Sequence, residues 1–141
     1  MVDKEKIERL FTELDEYLST LNELKKLSIK DYLEEKKNIY SGRYLLQNSI
    51  ETCINIGNHI ISTGKLGLPK EYAETFRILQ KEGIITDDLT NKLILMTKFR
   101  NRIVHLYWDI DDEFVKKIIE ENLEDFNLFK KSIRFYLKKN E

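Results

Sequence analysis

Ile7, Leu10, Phe11, Leu14, Tyr17, Leu18, Leu21 and Leu24 recur at three- and four-residue spacing near the start of the chain, with charged side chains between them. That period lines one face of an α-helix and would scatter apolar groups over both faces of a strand. The same period governs most of the remaining chain, and only five Gly and one Pro interrupt 141 residues. A chain so poor in turn formers is ill suited to a β-sandwich, while 41% hydrophobic residues suffice for a core. The expected fold is all-α: an up-and-down bundle of four main helices plus short helices, in a single domain spanning residues 1–141.

The first helix is predicted over residues 4 to about 26. Ser28 is a candidate N-cap for a second helix reaching about Thr63. Such a helix would be roughly 50 Å long, so a bend or break is expected near Ser41-Gly42. Its inward stripe reads Ile39, Arg43, Leu46, Ile50, Cys53, Gly57 and Ile60. Gly57 costs helix propensity there and suggests that another backbone passes close. After the loop TGKLGLP, a short helix over residues 71–82 stops at Gly83, with Tyr72, Phe76 and Leu79 on one side. Thr86 caps a fourth, whose first turn holds Asp87 and Asp88 and which runs through Leu89, Leu93 and Met96 to about Val104 or beyond. Asp111 caps C-terminal helices that end near Lys139 with an interruption around Glu121-Asn122. Lys130, Lys131, Arg134, Lys138 and Lys139 are read as complementing a helix dipole.

Lysine and arginine number 24 against 25 acidic residues, so a net charge of −1 offers no global attraction for nucleic acid or membrane. Any polyanion site must be local. Cys53 has no partner for an internal disulfide, and no apolar run approaches the ~18 residues that span a bilayer. The N-terminus is charged and periodic rather than basic-then-apolar, so a cytoplasmic location with no membrane partner is expected. The sequence carries no Gly-rich phosphate loop, CxxC or HExxH, and two histidines with one cysteine make a poor ligand set for zinc. No metal and no cofactor are expected.

Chemistry is concentrated in one string, where Lys98, Arg100, Asn101, Arg102, His105 and Tyr107 crowd the end of the fourth helix. Arg100 falls in the apolar stripe of Leu89, Leu93, Met96 and Ile103, where a guanidinium is expensive without an anion. It either pairs with a carboxylate of a neighbouring helix, for which Glu51 is the candidate, or holds a phosphate. Asn101 and His105 share a face about 140° around the helix from Arg100. Arg100 and His105 converge if the helix loosens near His105, or if a second copy brings its own helix alongside. This offset points to a homodimer with a composite cleft. Lys98 and Arg102 either steer phosphates by charge or form a solvated helix edge. Arg43, which also interrupts a stripe, reaches the cleft or the dimer seam or pairs with an acid. His59 is read as a hydrogen-bonded structural histidine.

The string RNRIVHLYWDID resembles the Arg-Asn-x-x-x-His-x-Tyr signature of the HEPN superfamily, and more closely its HepT-like toxin branch, with Arg100, Asn101, His105 and Tyr107 at the motif positions. RYLLQNSIETCINIGNHII is similar to that family's second long helix and GLPKEYAETFRILQKEGII to its connecting segment. The likeness covers most of the chain and is weakest over the first 30 residues.

The resemblance implies an all-helical homodimer, a metal-independent endoribonuclease, and a minimal nucleotidyltransferase encoded beside it as antitoxin. It implies catalytic roles for Arg100 and His105, with Asn101 in support, and AMP addition to Tyr107 by that partner. An imidazole suits proton transfer to or from an RNA 2′-hydroxyl or 5′-oxygen, while a guanidinium holds the phosphate. Because the 2′-hydroxyl is the internal nucleophile, no metal-activated water is needed. The products would be a 2′,3′-cyclic phosphate and a 5′-hydroxyl. The alternative is a non-catalytic helical module that docks a nucleotidyltransferase or binds nucleotide through Arg100.

Overall fold

The computed structural model describes all 141 residues, Met1–Glu141. The chain forms seven α-helices, one 3-10 turn and no strand: α1 (Lys4–Lys25), α2 (Ile29–Glu34), α3 (Lys36–Gly64), α4 (Tyr72–Lys81), α5 (Asp87–His105), the turn Tyr107–Asp109, α6 (Asp112–Glu121) and α7 (Leu123–Lys139). The long elements α1, α3, α5 and α7 are the four main helices, and α2, α4 and α6 are the short ones. The all-α class expected from the period is the one found.

One cluster of 32 buried hydrophobic residues runs through the molecule. It takes the stripe of α1 from Ile7 to Leu24 except the half-buried Tyr17, and packs it mainly against α3. Local signals set the ends of the helices. Asp3, Ser28, Thr86 and Asp111 each accept a first-turn N–H, satisfying donors that have no partner within the helix. Gly83, at φ 74°, takes the left-handed conformation just past α4. The interruption predicted near Glu121-Asn122 falls at Asn122, between α6 and α7.

The predicted second helix is corrected in two respects. It breaks at Glu35, which is extended at φ −111° and ψ 116°, and it runs unbroken through Ser41-Gly42. Gly42 is used for a close approach instead. A Cβ there would lie 2.0 Å from the Tyr32 hydroxyl, so the missing side chain lets fully buried Tyr32 fold back from α2 onto α3. Nothing in the local run LEEKKN breaks a helix; the gain from burying Tyr32 does. At Gly57 the close approach is made by side chains of α4, Thr75 Cγ2 at 2.7 Å and Leu79 Cδ1 at 3.2 Å from an added Cβ, not by another backbone.

The C-terminal basic cluster is also reassigned in part. Lys130 pairs with Asp15, and Arg134 with Glu8 at 2.8 Å, so both tie α7 to α1 and lie over the Phe11 ring. Lys138 and Lys139 do occupy the last turn of α7.

His59 is structural, as its place in an apolar helix suggests: its Nε2 accepts the backbone N–H of Asp3 at 3.0 Å, tying α3 to the cap of α1. Burial, with Lys6 nearby, lowers its pKa below the ordinary value. The unfolded chain therefore binds the proton more readily than the folded one. The contribution of His59 to stability is complete above about pH 6.5 and is lost as pH falls through its lowered folded value. Thermal unfolding of the wild type should show a melting temperature that falls between pH 7 and 5.5, with a shallower fall in His59→Gln. Equal slopes would disprove the linkage.

Candidate active site

Packing places α5 against α3 in opposite senses: Arg100 meets Glu51, and the Tyr107 carbonyl meets Arg43. The Arg100 side chain is 13% exposed. Its Nε and Nη2 both donate to Glu51 Oε1, at 2.9 and 2.5 Å, and Nη1 donates to Asn101 Oδ1 at 3.1 Å. The guanidinium also lies over the Tyr72 ring, 4.9 Å from its centroid. Arg100 is thus paired as the structural alternative expected, with Glu51 as its carboxylate. Yet those bonds occupy three of its five N–H groups and leave one on each terminal nitrogen.

Arg100, Asn101, His105 and Lys98 border one open cleft of about 740 Å³. α5 ends at His105, the residue near which the helix is expected to loosen. The 140° offset keeps Arg100 and His105 out of hydrogen-bond contact, but it does not send them to different surfaces. A single chain brings both to the same cleft because the cleft is wide and α4 forms its opposite wall. Glu51 lies in an adjoining recess of about 170 Å³ with Asn55, Tyr72 and Arg100.

Two candidates for the cleft lie outside it, and Arg43 takes the acid-paired alternative. Arg43 makes a bidentate pair with Asp112, 2.8 Å at both nitrogens, and donates from Nη1 to the Tyr107 carbonyl at 3.2 Å. The hydrogen bonding to Asp112 raises the pKa of Arg43. Arg102 turns away to the Asp109 carbonyl and carboxylate, at 3.4 and 3.6 Å. Each finds its anion close by, which is why neither extends into the cleft. Tyr107 itself stands exposed on the 3-10 turn, edge-to-face with Trp108 at 5.3 Å, and is not part of the cleft wall.

Sequence reasoning misses the α4 wall. Lys70 and Glu71, just ahead of α4, and Tyr72 and Arg77 in it line the cleft opposite α5. The helical pattern groups Tyr72 with Phe76 and Leu79 on an inner face, but Tyr72 is exposed under Arg100. Lys70, Arg77, Lys98 and Arg100 thus face a single lining acid, Glu71, and of the four only Arg100 is held in an ion pair. The cleft is basic although the chain is not. No three His, Cys, Asp or Glu side chains come together as metal ligands, and no helix is long and apolar enough to cross a membrane.

A helical bundle whose third main helix ends on Arg100, Asn101 and His105 above a basic cleft is a HEPN-class domain. The family described as Ribonuclease HepT-like matches residues 14–133, and the chain belongs to that family.

Its relatives extend this. The chain is 36% identical over 84 residues to the mRNA nuclease HepT of Shewanella oneidensis, a match covering 60% of this chain and 63% of that protein. It thus spans somewhat less than two thirds of that relative. It is 33% identical over 121 residues to the tRNA nuclease HepT of Aphanizomenon flos-aquae, covering 86% of this chain and 82% of that one. Among solved structures, the tri-AMPylated Shewanella oneidensis HEPN toxin in complex with MNT antitoxin is similar, with TM-score 0.84 and 26% identity over 91% of this chain and 96% of that one.

Proposed function

We propose that this chain is the toxin of a toxin–antitoxin pair, an endoribonuclease that cleaves RNA without a metal and is restrained by AMP addition to Tyr107. The observation that carries the reading is the state of Arg100. It is held from behind by Glu51, stacked on Tyr72, and left with two N–H donors beside the cleft that His105 borders. A guanidinium fixed in this way takes a phosphate without first giving up its structural partner.

In the reaction, the RNA 2′-oxygen attacks the adjacent phosphorus and the bond from phosphorus to the 5′-oxygen breaks. The imidazole of His105 accepts the 2′-proton or protonates the departing 5′-oxygen, and Arg100 stabilises charge on the non-bridging oxygens. Asn101 supports Arg100 by accepting from Nη1. Lys70, Arg77 and Lys98, none of them held in an ion pair, hold flanking phosphates, for Lys98 the phosphate-steering alternative of the two. The active unit is a homodimer, in which two such clefts stand together.

Restraint follows from chemistry at Tyr107. Its phenolic oxygen attacks the α-phosphorus of ATP in the active site of a minimal nucleotidyltransferase. The bond to the β-phosphate oxygen breaks, pyrophosphate leaves, and the phenolic proton passes to a base on the transferase or to solvent. The added phosphate is anionic and two residues from His105, so it competes with RNA phosphate.

Incubating the purified chain with RNA in excess chelator tests the reading. Cleavage leaving 2′,3′-cyclic phosphate and 5′-hydroxyl ends is expected, and products with 5′-phosphate ends, or a requirement for metal, would refute it. Lys70→Gln/Arg77→Gln should raise KM with little change in kcat. It should also flatten the dependence of log affinity on log salt by about 1.4, two phosphate contacts at about 0.7 each. An unchanged slope would remove α4 from the RNA site.

A further inference from the structure

The turn Tyr107–Asp109 buries none of its own side chains, so no apolar contact fixes it. Tyr107 and Trp108 are 64% and 70% exposed. Such a segment is ordinarily free to move. Here its main chain is tethered at both ends by guanidinium groups: Arg43 of α3 holds the Tyr107 carbonyl, and Arg102 of α5 holds the Asp109 carbonyl. The two tethers differ in strength. Arg102 is half exposed and makes long contacts. Arg43 is 19% exposed, and its other two nitrogens are locked to Asp112, itself 20% exposed in the first turn of α6. A bidentate pair shielded in this way is rigid, because rotating the guanidinium would break two charge-assisted bonds at once.

This arrangement bears on how one tyrosine is selected. Tyr40 and Tyr44 are as exposed as Tyr107, at 59% and 60%, so exposure does not single Tyr107 out. They lie along α3, whereas Tyr107 projects from a turn.

We propose that Arg43, locked by Asp112, is a positioning residue that fixes the Tyr107 turn for nucleotide transfer by a nucleotidyltransferase partner. The inference rests on the proposed function, in which Tyr107 receives AMP. A nucleophile held in a single pose reacts faster than one on a loose loop, because its ordering cost is met before the transferase binds. Arg43 does not line the cleft and spends its donors on Asp112 and the Tyr107 carbonyl, so its loss should weaken modification and spare cleavage. The turn also holds the chain's single tryptophan, so Trp108 fluorescence reports on this segment alone.

The test uses this chain, ATP and a minimal nucleotidyltransferase of the kind found with the similar toxin structures, with wild type, Arg43→Gln, Asp112→Asn and Tyr107→Phe. Intact mass gives AMP incorporation, acrylamide quenching of Trp108 gives mobility of the turn, and RNA cleavage of unmodified protein reports the fold. Arg43→Gln should lose about tenfold or more in kcat for AMP transfer with KM nearly unchanged, and its Trp108 should quench more readily, while cleavage stays within about twofold. Asp112→Asn, which keeps shape and removes charge, should fall between it and wild type. If Arg43→Gln loses cleavage as well, Asp112→Asn decides by the same criteria. AMP transfer at the wild-type rate in a cleavage-competent variant would overturn the positioning role alone. Absence of AMP from the wild type, or its presence on Tyr107→Phe at wild-type level, would overturn the assignment of Tyr107 and the positioning role with it.

Discussion

Replacing His105 by alanine should lower RNA cleavage by about 10²–10⁴-fold, the range a single positioned acid–base group supplies. The cost to stability should be small. His105 is exposed at the end of α5 and makes no side-chain hydrogen bond in the fold, so its loss leaves no buried group unpaired. Circular dichroism and thermal unfolding should match the wild type, and so should the dimer population. If cleavage in a contaminant-free preparation persists at the wild-type rate, His105 is not the acid or base. If neither protein cleaves but both bind a nucleotidyltransferase, the non-catalytic module is correct. Arg100 is a poorer first target, because truncating it leaves the Glu51 charge without its cation, with only Gln47 still donating to it, and mixes stability with catalysis.

The largest effect on folding is expected from Gly42→Ala. Alanine ordinarily stabilises a helix interior over glycine by about 0.5–1 kcal/mol. Here its Cβ would sit 2.0 Å from the Tyr32 hydroxyl oxygen, 3.1 Å from Cζ and 3.3 Å from Ile119 Cδ1. Tyr32 is completely buried and its ring cannot swing into solvent. A net loss of about 1–3 kcal/mol should follow, the usual cost of overpacking. The Tyr32 hydroxyl has no hydrogen-bond partner, and burial, with Asp112 nearby, pushes its pKa up to about 12. Tyr32→Phe should therefore be neutral or slightly stabilising. In the double variant the tightest contact is gone and most of the loss should be recovered, a coupling that chemical denaturation of all four proteins would measure. Independent effects of the two substitutions would mean that the ring and the glycine do not meet.

Much of the active region is legible in the sequence because its members are neighbours in the chain. Lys98, Arg100, Asn101 and His105 occupy two turns of one helix, so a string search finds them together. Arg43 and Arg102 are harder to place. Whether a surface arginine faces a phosphate or a carboxylate depends on what another element brings to it. Asp112 is 69 positions from Arg43. The α4 wall, with Lys70 and Arg77, lies in a segment whose pattern is that of an ordinary amphipathic helix.

Most helix spans, the caps Ser28, Thr86 and Asp111, and the family motif are readable along the chain. Periodicity and capping act over three to five residues, and the same composition has few other ways to bury its apolar stripe. Packing between helices sets where the second helix breaks, that Asp112 holds Arg43, and that Arg100 and His105 share a cleft within one chain. Those outcomes depend on the register in which helices pack, and register follows from side chains meeting across elements, as Glu51 meets Arg100 and Tyr32 meets Gly42.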